Sequence, residues 1–93
     1  MPADLKNWLR VRDRTCRFPG CARDARFCDI DHTVAWEHGG HTRHDNLAHL
    51  CRSHHTLKHQ TRWRVSNARD GTLTWTSPGG REYTSEPEIR MRV

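Results

Sequence analysis

The stretch CDIDHTVAWEHGGHTRHDNLAHLCRSHHTLKH, residues 28–59, decides the fold. It opens on ligand-type and proton-transfer groups at Asp31 and His32 and turns at Gly39-Gly40. It then passes Asn46 and Cys51 and ends in a run carrying His54, His55 and His59. The leading segment ARFCDIDH alternates with period two, Phe27, Asp29 and Asp31 against Cys28, Ile30 and His32, which predicts a strand ending at the Asp-His pair. WEHGGHTRHD reads as a polar loop, NLAHL as a second short strand, and RSHHTLKHQ as a short helix. The order between residues 26 and 60 is therefore strand, loop, strand, helix.

On such a helix His55 and His59, four apart, stand one turn above each other, so two imidazoles can grip one metal. A carboxylate from Asp31 would complete the set and favour a hard cation such as Mg²⁺ or Mn²⁺, while the imidazoles also admit Zn²⁺ or Ni²⁺. His32 sits at a strand end, where an imidazole titrating near neutrality can take a proton from water. Taken singly, His32 reads more simply as a hydrogen-bonded histidine and Asn46 as a turn residue. Their order along one short stretch is what makes the group informative. His38, His41, His44 and His49 read as loop or surface residues without an assigned role.

Upstream, TCRFPGC places a Pro19-Gly20 turn between Cys16 and Cys21, and downstream Cys51 and His54 follow a C-x2-H spacing. Two closely spaced pairs suit a tetrahedral Zn²⁺ bound by three thiolates and one imidazole, a closed site that contributes folding energy directly. Unrelated cysteines are the plainer alternative. A two-Cys, two-His finger fails on spacing, because 32 residues separate Cys21 from His54 against about twelve in that class. Cys28 is then a spare thiol, read as a small core residue of the strand.

The chain around this stretch is short and polar. Its 93 residues are 33% apolar with a mean hydropathy of -1.00, so the core must be thin, a circumstance a structural metal relieves. Four tryptophans, two phenylalanines and one tyrosine still argue for a folded domain. Sixteen Lys and Arg, fourteen of them Arg, against eleven Asp and Glu leave a net charge of +5, which suggests a polyanionic partner, with a solvated surface as the plain alternative. No apolar run is long enough to span a bilayer and no secretory signal opens the chain, so a reducing cytoplasm is expected, where clustered Cys and His more often bind metal than pair as disulfides.

Residues 1–14 have helical potential, with Leu5, Trp8, Leu9 and Arg12 on one face, Pro2 and Asp4 at the start, and Trp8 and Leu9 expected to pack inward. Beyond the helix at 52–60, WRVSN and TLTWTS flank ARDG, whose Asp-Gly predicts a hairpin across which Trp63 and Trp75 could pack. EYTSEP is a candidate third short strand.

The pattern D-H, a glycine-containing loop, then N-L-x-x-L-C-x-x-H-H-x-x-K-H resembles the HNH endonuclease family, most closely its zinc-stapled branch in actinobacterial and phage sequences. The likeness is close over residues 13–63, including RTCRFPGC, and weaker over 64–86. It implies an α+β architecture: a small ββα-metal (His-Me finger) domain with a structural zinc site, an N-terminal short helix and a C-terminal β-hairpin. On this reading residues 1–93 form a single domain, with 13–63 as motif core, 64–86 as accessory hairpin and 87–93 as tail. The three signature letters fall on His32, Asn46 and His55.

By resemblance His32 is the general base that activates water for in-line attack on a DNA phosphodiester. Asp31 and His55 would bind the catalytic divalent cation, which stabilises the departing 3′ oxygen, with His59 a ligand in some branches of the family and not in others. Asn46 would hold the loop so that His32 points correctly. His54 stands where the common pattern has Cys, and a site of Cys16, Cys21, Cys51 and His54 still closes around zinc. Arg52, Lys58, Arg62 and Arg64 are candidates for phosphate contact, with a solvated surface as the plain alternative. The expected partner is DNA, double-stranded, with a larger protein supplying targeting as a further possibility. The rival from another class is a catalytically silent zinc module that binds nucleic acid or protein; Asp31 and His32 together favour the enzyme, since a zinc scaffold needs neither.

Overall fold

Alternation in CDIDH and LAHLC is realised as strands β1 (Cys28–His32) and β2 (Leu47–Cys51). They form an antiparallel pair with Cys28 opposite Cys51 and His32 opposite Leu47. The structure, a computed structural model, describes residues 1–89. Positions 90–93, the end of the expected tail, lie outside the described residues. Asp29 and Asp31, two apart on β1, share the face that meets helix α2 (Arg52–Gln60), whose His55, Lys58 and His59 reach their carboxylates. Strand, strand and helix thus enclose one polar seam.

The first strand is shorter than its alternation suggests. Ala25–Phe27 form a 3₁₀ turn, because the Asp24 carboxylate accepts the Arg26 N–H at 2.9 Å and so offers the backbone an alternative to a ladder. Phe27 is left exposed beside the guanidinium groups of Arg23 and Arg26, at 5.4 and 5.5 Å.

Helix α1 (Ala3–Asp13) starts after Pro2, which stands at the N-cap without a side-chain cap bond. It ends at Arg14, whose positive φ of 58° lets its N–H bond the Arg10 carbonyl. Its buried face is Leu9, Arg12 and Asp13. Leu9 packs inward as expected; Trp8 stays 39% exposed, resting on Arg12 and the edge of His44, since the layer beneath it is polar.

That layer is a buried network. Asp13 takes Arg12 Nε at 2.7 Å and Arg17 Nη1 at 2.8 Å on one oxygen, and the His49 backbone N–H and ring Nδ1 on the other, at 3.1 and 2.9 Å. Arg12 also donates to the carbonyls of His44 and Leu47, and Arg17 to those of Gly71 and Ser85. His49, read from sequence as a surface residue, is buried here, because β2 presents it to Asp13 of α1. Burial alone would raise the Asp13 carboxyl pKa, but His49, Arg12 and Arg17 more than offset this and hold it near 2.

The C-terminal part is a three-stranded antiparallel sheet, β3 (Arg64–Asn67), β4 (Leu73–Thr76) and β5 (Glu82–Ser85), in that spatial order. Gly71, at φ 92°, turns the chain between β3 and β4. The partner of Trp75 across the hairpin is Val65, so Trp63 and Trp75 do not face each other directly; both meet Phe18 edge-on, at 5.1 and 5.0 Å. Trp75 is fully buried among Cys16, Ala48, Leu50, Cys51 and Leu73, and its Nε1–H donates to the Arg17 carbonyl at 3.1 Å. Among the described residues no helix is long and apolar enough to cross a membrane.

Candidate active site

Two ligand clusters draw on α2, one through His54 and the other through His55 and His59. The first joins Cys16 and Cys21, on either side of the Pro-Gly turn, to Cys51 and His54 at the junction of β2 and α2, with all four donor atoms within 4.8 Å of one another. His54 Nδ1 lies 3.5 Å from Cys16 Sγ and 3.3 Å from Cys51 Sγ. Tetrahedral zinc with bonds of about 2.3 Å to sulfur and about 2.1 Å to nitrogen sets such atoms about 3.6 Å apart. The donor set therefore fits a structural ion, and the cluster could hold a metal such as zinc. Phe18 stacks on the His54 ring at 4.1 Å, closing the cluster on its core side.

The thiols differ in environment. Burial pushes Cys16 up to about 12. Cys51 is also penalised by burial, yet it lies below the ordinary thiol value because the Ser53 and His54 backbone and the Cys16 and Cys21 thiols favour its thiolate at the start of α2. Burial lowers His54, which favours the neutral ring that a metal needs. Cys28 stands apart, its Sγ facing the Asp24 carbonyl, and burial raises it to about 11.

The second cluster is Asp31, His55 and His59, again with donor atoms within 4.8 Å. Asp31 Oδ1 is 3.0 Å from His59 Nε2 and 3.5 Å from His55 Nε2. Ligands about 2.1 Å from one ion stand about 3.0 Å apart at octahedral angles and about 3.4 Å at tetrahedral ones, so this set also fits a divalent cation. Lys58, expected from sequence at a phosphate surface, instead turns inward: its Nζ donates to Asp31 Oδ2 and to the His32 carbonyl, both at 2.7 Å. With one carboxylate oxygen held by Lys58, the other faces the two imidazoles.

His32 lines the same depression, about 200 Å³, as Asp31, His55, His59, Ala35 and Trp36. Its Nε2 is 3.1 Å from Thr42 Oγ1. The Asn46 side chain bonds not His32 but the intervening loop, accepting the Val34 N–H and donating to the carbonyls of Val34 and His41, at 2.9 to 3.0 Å. Gly40 is required in this loop, since a Cβ there would fall 1.7 Å from the Val34 carbonyl oxygen.

Three neighbours escaped the sequence reading. Asp29 holds His55 Nδ1 at 3.2 Å, which aims Nε2 at Asp31, and its place two residues before Asp31 on a strand was the available signal. Thr42 and Trp36 carried no signal beyond lying in the loop. Of the remaining candidates, Arg52 pairs with Asp29 at 3.2 Å and is otherwise exposed. Arg62 and Arg64 flank Trp63 along an open groove of about 530 Å³ just beyond α2.

A hairpin and a helix that close on one carboxylate and two imidazoles, with a further His at the mouth, define a ββα-metal domain. The chain belongs to the HNH endonuclease family, whose model matches residues 14–61. Among curated proteins it is 49% identical over 90 residues to Uncharacterized protein Rv3776 of Mycobacterium tuberculosis (strain ATCC 25618 / H37Rv), covering 96% of this chain and 17% of that protein. The same identity and share of this chain relate it to Uncharacterized protein MT2160 of the CDC 1551 / Oshkosh strain, of which it covers 16%. The chain thus spans about a sixth of the length of these relatives. No solved structure matches it.

Proposed function

We propose that this chain is a metal-dependent DNA endonuclease domain, with residues 1–93 acting as one unit, and that it hydrolyses phosphodiester bonds of double-stranded DNA in the cytoplasm. The observation that carries the reading is the convergence of Asp31, His55 and His59 beside His32 in one depression. Asp31, His55 and His59 would hold a divalent cation (Mg²⁺, Mn²⁺, Ni²⁺ or Zn²⁺), which when bound supplies charge stabilisation for the pentacovalent phosphorus and the departing 3′ oxygen.

The chain's own residues do the rest. His32 takes the proton from the attacking water through its imidazole, and Thr42 fixes the tilt of that ring. Asn46 holds the loop that positions it. Lys58 balances the Asp31 charge and keeps the carboxylate turned toward the imidazoles. Arg52, Arg62 and Arg64, with the net charge of +5, attract and seat the DNA backbone. Cys16, Cys21, Cys51 and His54 would hold a structural Zn²⁺ that fastens the N-terminal turn to the start of α2.

Supercoiled plasmid incubated with the protein and Mg²⁺, Mn²⁺ or Ni²⁺ should be nicked, and His32→Ala should reduce the rate at least about hundredfold. Equal nicking by both proteins would remove His32 as base. Absence of cleavage with every metal would favour the silent zinc module. For the staple, Cys51→Ser should lose about one zinc per chain in metal analysis and unfold at lower denaturant; retained zinc refutes that ligand set.

A further inference from the structure

Trp36 is 70% exposed, more than any other large apolar side chain of the described residues. A single exposed apolar side chain is ordinary by itself, but the place of this one beside the candidate site calls for an explanation. Looseness does not supply one, because the loop around it is fastened from both sides. The Gly39 N–H bonds the Trp36 carbonyl, and the His38 and Gly40 N–H groups both bond the Ala35 carbonyl. Asn46 ties down Val34 and His41 on the flanks, and Gly40 lies too close to Val34 for any side chain. The backbone is fixed while the indole projects from it.

Trp36 borders the depression that also contains Asp31, His32, His55 and His59. Whatever phosphodiester is cut there brings with it one planar, apolar group, the base of the adjoining nucleotide. Every base has a π face, and aromatic side chains take it without regard to sequence.

We propose that Trp36 is a stacking platform for a nucleobase beside the scissile phosphate. The site then grips DNA most tightly where a base is free to leave its helical stack, as in a single strand, a bulge or a frayed end. This rests on the nuclease reading for its substrate, but it is tested by binding.

The test uses fluorescence anisotropy with labelled oligothymidylate and with a fully paired duplex of equal length, without added Mg²⁺ or Mn²⁺. Trp36→Ala should weaken single-strand binding about five- to 150-fold, and Trp36→Leu nearly as much, while Trp36→Phe should stay within about threefold. The paired duplex should lose less than the single strand. Because the side chain is exposed, the variants should unfold at the wild-type midpoint; Trp36→Phe and Trp36→Leu still discriminate if Trp36→Ala does not. Oligothymidylate should also quench tryptophan emission of the wild type more than that of Trp36→Phe.

Wild-type affinity in Trp36→Ala and Trp36→Leu, or quenching undiminished in Trp36→Phe, would overturn the proposal. The two readings fail separately. Plasmid nicking that survives with Trp36-independent binding leaves the nuclease without the platform. Trp36-dependent binding with no cleavage in any metal leaves the platform without the nuclease.

Discussion

Asp31 divides its two oxygens between different partners. Lys58 holds Oδ2, while His55 and His59 both face Oδ1. The His55 ring has a carboxylate behind it, Asp29 at 3.2 Å from Nδ1. A carboxylate in that position selects the tautomer that leaves Nε2 free to ligate. Asp29→Ala should therefore weaken divalent-metal affinity about 10- to 100-fold by titration calorimetry, while Asp29→Asn, which can still accept from Nδ1–H, should lose much less. Equal effects of the two variants would place the role of Asp29 in charge and not in orientation.

At the level of elements, the loop between β1 and β2 is the part on which the site depends most. Gly40→Ala puts a methyl 1.7 Å from the Val34 carbonyl oxygen, and backbone must move to relieve it. The expected cost is about 2 kcal/mol in urea unfolding, with a larger relative loss of plasmid nicking because His32 and Thr42 lose their alignment. The elements themselves were largely legible in the residues: α2 has the bounds expected from RSHHTLKHQ, and the short C-x4-C and C-x2-H spacings picked out the four residues that converge. What was hidden depends on tertiary proximity. His49 looks like any polar histidine until α1 sets Asp13 against it, and Thr42 meets His32 only through the loop shape that Asn46 holds. The start of β1 was lost to a local competitor, the Asp24 side chain. The Lys58 ammonium could not be placed from sequence, because whether a helix lysine faces solvent or a strand carboxylate depends on how the helix lies across the hairpin.

For the whole molecule, the buried Asp13 network makes stability sensitive to acid. The Asp13 carboxyl titrates near 2 when folded against 3.8 as its reference, a depressed value. Its contribution is therefore fully present above pH about 4 and is lost as pH falls from about 4 toward 2, amounting to about 2 kcal/mol. Denaturant midpoints measured across that window should fall for the wild type, and Asp13→Asn should start lower and show a shallower slope. A wild-type curve as flat as that of the variant would mean that the Arg12, Arg17 and His49 contacts do not favour the charged form.

Arg17 gives that network a second consequence. Its guanidinium bonds Asp13 of α1 at one end and the Gly71 and Ser85 carbonyls of the terminal sheet at the other, and its own carbonyl receives Trp75. All these partners lie outside residues 14–61, the stretch that the family model matches. A graft of that stretch alone into another scaffold would carry both ligand clusters but leave a buried arginine with no counter-charge and a core with no tryptophan. The portable unit is thus wider than the recognisable one: it must run from α1 through β5, and anyone fusing or trimming this domain should cut outside those elements.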